Sequence, residues 1–150
     1  MSFVRRQLFS RLAAAVFGAA AGARAVPALA ATDEPQKVVY HLADLDKVNF
    51  VLGNIRNHID GMGGPDRVRI VLVVHGPALR QFRADAVPPD TLSRFTAIAD
   101  AGVGFAACGN TLRAMDLDTK GLLAGFEVAE EGGVVRIARL QADGYLYLRP

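Results

Sequence analysis

The residues of this chain best suited to chemistry near neutral pH are its lone cysteine, Cys108, and two of its three histidines, His41 and His75. A thiolate is a nucleophile and a soft ligand, and an imidazole can give or take a proton or bind a metal. Cys108 closes the apolar run Val103-Gly104-Phe105-Ala106-Ala107 and is followed at once by Gly109-Asn110-Thr111-Leu112. The run reads as a short buried strand bounded by Gly102 and Gly109. Asn110 then reads as the N-cap of a helix carrying Leu112, Met115 and Leu117. The sulfur is thus predicted at the carboxyl end of a strand and facing a helix N-terminus, whose partial positive charge and free N–H groups favour thiolate.

His75 follows a second apolar strand and precedes Gly76-Pro77, and His41 lies near the end of a first strand. In an open α/β sheet the carboxyl ends of the strands form the edge where ligands bind, and that edge gathers His41, His75 and Cys108. Gly76, Gly109, Asn110 and Thr111 complete the binding edge, the last three able to cradle an anion through their N–H groups. Each residue also fits a plainer role: Cys108 as a small buried hydrophobe, His75 bonded to a turn carbonyl, His41 lining a strand end. His58 reads as a solvated residue near a helix end. Tyr145 and Tyr147, two apart, share one strand face as packing groups.

The elements that must position these residues alternate in type. Strands are predicted at Lys37–Leu42, Val68–Val74, Val103–Cys108, Phe126–Ala129 and Tyr145–Leu148. After Asp44, a cap, helical spacing joins Leu45, Val48, Val51, Leu52, Ile55 and Ile59, and Gly61 ends that helix. Pro77 opens a short helix through Leu79 and Phe82, and a further helix places Leu92, Phe95, Ile98 and Ala99 on one face. A last helix over 133–142 carries Val134, Ile137, Ala138 and Leu140 behind Glu130 and Glu131. Strands alternating with helices imply a mainly parallel sheet with helices on both faces.

The first thirty residues read differently. Arg5 and Arg6 precede an apolar stretch, Leu12–Ala23, and Ala28-Leu29-Ala30 offers a small-x-small cleavage site. The stretch is short of the length that spans a bilayer, so residues 1–30 are expected to be a cleaved export signal, with an uncleaved anchor as the alternative, 31–36 as linker and 37–150 as one domain. The arginine pair fits the twin-arginine route in part, with general secretion as the other route, and a periplasmic location follows. The whole chain carries a net charge of +2, and losing Arg5, Arg6, Arg11 and Arg24 turns this to −2. No basic stripe then remains for nucleic acid, and no membrane contact is expected after cleavage.

One cysteine excludes an internal disulfide and a self-contained dithiol oxidoreductase. The first strand runs into His41-Leu42-Ala43-Asp44 rather than a glycine-rich turn, so a dinucleotide or phosphate loop is unsupported, and no cofactor or resident metal is expected. Two other readings stand beside a reactive sulfur. One is a non-enzymatic small-ligand or metal-binding oligomer, in which His41, His75 and Cys108 would be three ligands for copper or zinc. The other is a structural oligomer with its cysteine buried at an interface.

Three segments carry a resemblance: Val73-Val74-His75-Gly76-Pro77-Ala78-Leu79, Ala107-Cys108-Gly109-Asn110-Thr111-Leu112, and Leu140 to Pro150. In this order and spacing they resemble the DsrE/DsrF-like family from Lys37 to Pro150. The resemblance implies a three-layer α/β/α sandwich with a five-stranded, mainly parallel sheet, and homo-oligomers, trimers or hexamers. It implies sulfur handling, with a persulfide on a cysteine at the sheet edge, and Cys108 is the residue here that matches. A protein sulfur donor or acceptor would be the partner, His75 a proton donor or charge partner of the sulfur, and the activity, if enzymatic, that of a sulfurtransferase. The best-studied relay members are cytoplasmic, whereas this chain carries an export-like leader.

Overall fold

The computed structural model describes residues 34–150; the predicted leader, residues 1–30, lies outside them. Five strands run β1 (Gln36–Leu42), β2 (Val68–Val74), β3 (Gly104–Cys108), β4 (Phe126–Ala129) and β5 (Leu146–Leu148), all parallel, in the spatial order β4-β3-β2-β1-β5. The helices are α1 (Val48–Gly61), α2 (Pro89–Asp100), α3 (Gly109–Ala114) and α4 (Gly133–Ala142). The fold is the expected α/β sandwich around a five-stranded parallel sheet.

Strand order explains how the layers are filled. From β1 to β4 the chain steps across the sheet in one direction, so right-handed crossovers stack their helices on one face. There Val51, Leu52, Ile55 and Ile59 of α1, Phe95 and Ile98 of α2 and Leu112 of α3 pack with Tyr40, Leu72, Val74 and Phe105. The return from β4 to β5 runs the other way, and the same handedness puts α4 on the opposite face. Ile137 and Leu140 of α4 pack there on Val39, Val73 and Ala106, a much smaller cluster. One layer is therefore three helices and the other a single helix of ten residues.

Local departures from expectation have local causes. Asp44 makes no side-chain cap, and the chain enters α1 through a 3-10 turn, Leu45–Lys47. Its carboxylate faces Arg149 instead, at 3.4 Å. Gly61 stays within α1, and the left-handed residues are Gly63 and Gly64, which make the exit turn. The segment after Pro77 is 3-10 rather than α-helical, with Ala78, Leu79 and Phe82 buried. On α2 the buried face takes Thr91 in place of Leu92, because the Thr91 hydroxyl donates to Asn49 Oδ1 of α1 at 2.9 Å. On α4, Val134 is exposed. His58 is bonded, not merely solvated: its Nδ1 lies 3.0 Å from the Tyr40 hydroxyl.

Candidate functional site at the carboxyl edge of the sheet

Parallel register assigns faces. Val39 pairs with Val71 and with Tyr147, Val73 with His41 and Ala106, and Cys108 with Ala129. Side chains alternate along a strand, so Tyr147, His41 and Cys108 lie on the α4 face, and His75, two residues beyond Val73, continues that row. The predicted edge thus exists, and Tyr147 joins it. Its place could be read from period two once the pairing of β5 with β1 was known, and not before.

The chain leaves β3 toward the three-helix face and leaves β4 toward the α4 face. A crevice opens between neighbouring strand ends whose connections part in this way. Cys108, the last residue of β3, sits at that parting of the connections, paired with Ala129, the last of β4. It is 7% exposed and pairs in no disulfide.

Strand passes directly into helix here: α3 starts at Gly109, so Cys108 itself takes the N-cap position and Asn110 falls inside the first turn. The expected Asn110 cap is therefore replaced. Asn110 Oδ1 instead accepts from Arg113 Nη2 at 2.5 Å. The sulfur closes no capping hydrogen bond as a thiol, but donors surround it. Burial, the largest single influence, pushes the thiol pKa up; the N–H of Gly133, the Thr111 hydroxyl and the N–H groups of Thr111 and Asn110 together outweigh it and hold it below the ordinary thiol range.

Gly133, the first residue of α4, is with Tyr147 a site residue that the sequence did not reveal. A Cβ there would lie 3.3 Å from Cys108 Cβ, 3.4 Å from His75 Cβ and 3.5 Å from Val73 Cγ1. Glycine is what lets the α4 N-terminus reach both residues. Gly132 before it has φ of 100°, a conformation that L side chains rarely adopt. The paired glycines ahead of an apolar helix were the signal available in the sequence.

His41 and His75 form a second group on the same edge. Their Nε2 atoms lie 2.5 Å apart, and the rings meet edge to edge, with centroids 4.7 Å apart and planes inclined by 23°. His41 Nδ1 is 2.7 Å from the Tyr147 hydroxyl. Burial lowers the pKa of both imidazoles; for His41 the charge of His75 and then Arg149 lower it further, for His75 Arg149 does, and Asp44 opposes in each case. The backbone holds His75 in place, since its N–H donates to Leu42 O at 3.0 Å and the N–H of Gly76, at φ 57°, donates to Thr111 Oγ1 at 3.0 Å. Thr111 therefore joins the two groups: its oxygen accepts from the His75-Gly76 turn, and its proton is free for Cys108. No hydrogen bond links His75 and Cys108 directly among the described residues. Nor do any three His, Cys, Asp or Glu side chains among them come together to hold a metal ion, so the three-ligand arrangement of His41, His75 and Cys108 is not formed.

Comparison with known proteins places this architecture. The structure of MTH1491 from Methanobacterium thermoautotrophicum, a protein of unknown function, matches with a TM-score of 0.67 and 32% identity, over 77% of this chain and 99% of that one. The ychN protein from E. coli matches in fold, with a TM-score of 0.58 and 13% identity, over 77% of this chain and 99% of its own. Among curated proteins, none matches the chain. The model of the DsrE/DsrF-like family matches residues 18–150, taking in the whole sheet, Cys108 and the histidine pair, and the chain belongs to that family.

Proposed function

We propose that Cys108 accepts sulfane sulfur, holds it as a persulfide and passes it to an acceptor thiol. Membership of the DsrE/DsrF-like family supports sulfur handling in general. The observation that carries the specific reading is the setting of the sulfur. It lies at the adjoining carboxyl ends of β3 and β4, where donors from the starts of α3 and α4 favour its anion. In loading, the Cys108 thiolate attacks the terminal sulfur of a donor persulfide; a new S–S bond forms, the donor S–S bond breaks, and the donor leaves as a thiolate with the electron pair. Sulfur moves between thiols with no net oxidation. The Gly133, Asn110 and Thr111 amides that favour the thiolate would favour the persulfide anion by the same dipoles. No second cysteine in the chain can attack the persulfide from within.

The test is intact-mass analysis of reduced, leaderless protein after exposure to polysulfide. One added sulfur, removed by reductant and absent from Cys108→Ser, is the expected result. Sulfur uptake by the serine variant would place the acceptor elsewhere.

We infer also that the protein is exported and works as a homo-oligomer. Leu146 and Leu148 support the second point: both are exposed on β5, the edge strand beyond β1, on the face opposite Tyr147. Exposed apolar residues grouped at one edge mark a contact surface. Sedimentation equilibrium is expected to give a multiple of the chain mass that falls to the monomer in Leu146→Lys/Leu148→Lys; a monomeric wild type overturns this reading.

A further inference from the structure

The sulfur chemistry proposed for Cys108 needs a proton twice, once for the departing donor thiolate and once, in reverse, from the acceptor thiol. We propose that Tyr147, His41 and His75 form a proton wire from solvent to the strand ends beside Cys108, with His75 Nδ1 as its inner end. The reading of Cys108 supplies the substrate class on which this rests; the wire itself is read from geometry.

Three observations place it. The Tyr147 hydroxyl meets His41 Nδ1 at 2.7 Å, and His41 Nε2 meets His75 Nε2 at 2.5 Å, so three side chains are joined nitrogen to oxygen and nitrogen to nitrogen without a gap. The outer end is open, since Tyr147 is 40% exposed. At the inner end, His75 Nδ1 has no hydrogen-bond partner among the described residues, and a Cβ on Gly133 would touch both the His75 Cβ, at 3.4 Å, and the Cys108 Cβ, at 3.3 Å, so the two side chains start from neighbouring points.

Chemistry then allows two arrangements of equal charge. A neutral imidazole carries one N–H and one acceptor nitrogen. If Tyr147 donates to His41 Nδ1, His41 must carry its proton on Nε2 and donate it to His75 Nε2, which leaves His75 with Nδ1–H, a donor. If Tyr147 instead accepts from His41 Nδ1–H, the order reverses and His75 Nδ1 becomes an acceptor. The first arrangement serves loading: Cys108–S⁻ and R–S–SH give Cys108–S–SH and R–S⁻, and R–S⁻ takes the His75 Nδ1 proton. The proton is replaced through His41 and Tyr147 from water. The second serves discharge: His75 Nδ1 takes the proton of R′–SH, R′–S⁻ attacks the outer sulfur, Cys108 leaves as thiolate, and the proton exits to water. His75 would touch the reacting thiols, whereas His41 and Tyr147 are positioning residues. The charged groups facing the pair, Asp44 and Arg149, hold each other at 3.4 Å, and Gly133 is its neighbour from α4.

The test has two arms, on leaderless wild type and Tyr147→Phe shown to fold alike by circular dichroism. In sulfur-free protein, nitrogen NMR of labelled histidine follows the two imidazoles from about pH 5 to 8, where histidine titrates. Removing the phenol is expected to move the titration of His75, which Tyr147 does not touch, together with that of His41. In single-turnover sulfur transfer, Tyr147→Phe is expected to be about tenfold slower with an unchanged final yield, and His75→Gln about a hundredfold slower, the low end of general acid–base effects. Identical His75 titrations in the two proteins overturn the wire, whatever the sulfur does. So does coupled titration with an unchanged transfer rate. Coupled titration in a wild type that takes up no sulfur supports the wire and removes the persulfide reading instead.

Discussion

In Gly133→Val, Cys108 is expected to lose most of its reactivity at neutral pH although the thiol itself is retained. The N–H of Gly133 is the strongest of the donors that hold the thiol pKa down. A single Cβ at this position already meets Cys108 Cβ at 3.3 Å, tighter than most side-chain contacts, and touches His75 Cβ at 3.4 Å, so nothing larger has room. A branched side chain must push the start of α4 away from β3 or turn its amide aside. Burial of the sulfur then goes unopposed on that side, and burial raises a thiol pKa. A rise of one unit lowers the thiolate fraction about tenfold below the pKa. The measurement is the rate of iodoacetamide alkylation against pH, with a denatured control for the free thiol. Wild type is expected to reach its plateau at lower pH than the variant. Superimposable profiles would show that the α4 amide plays no part in thiol activation.

Phe82→Ala is expected to cost about 3–5 kcal/mol of folding stability, the range for removing a buried aromatic ring. Phe82 has no exposed surface, and its ring stands edge-on to Phe126 of β4 at 5.3 Å and to Phe95 of α2 at 6.0 Å. It therefore ties the segment after His75 to two elements, one of them the edge strand that pairs with β3 beside Cys108. Its carbonyl also accepts from Leu123 N at 2.9 Å, which anchors the chain entering β4. Urea unfolding should show the midpoint fall with the slope unchanged. A loss below about 1 kcal/mol would mean that the surrounding core closes over the gap, contrary to its close packing.

Most elements were legible in the sequence because their causes are local. The run Val68–Val74, the helical spacing from Val48 to Ile59 and the Gly133–Ala142 helix each carry their own periodicity. Boundaries slipped where two local signals competed. Asn110 looked like a cap until the strand was seen to pass straight into the helix, and Leu92 looked like core until Thr91 found Asn49 across the α1–α2 contact. The site was legible in part. Cys108 at a strand end follows from its flanks, as does the common edge for His41 and His75 once the sheet is parallel.

What the sequence by itself determined, then, is the set of elements, the parallel α/β class and the edge that gathers the lone thiol and two imidazoles. Only the tertiary structure decided who meets whom on that edge. The contact of Tyr147 with His41 spans 106 positions along the chain and depends on β5 pairing with β1 rather than β4. The approach of Gly133 to Cys108 depends on α4 crossing to the opposite face from the other helices. Both follow from strand order and crossover handedness, properties of the assembled sheet that no window of residues encodes on its own.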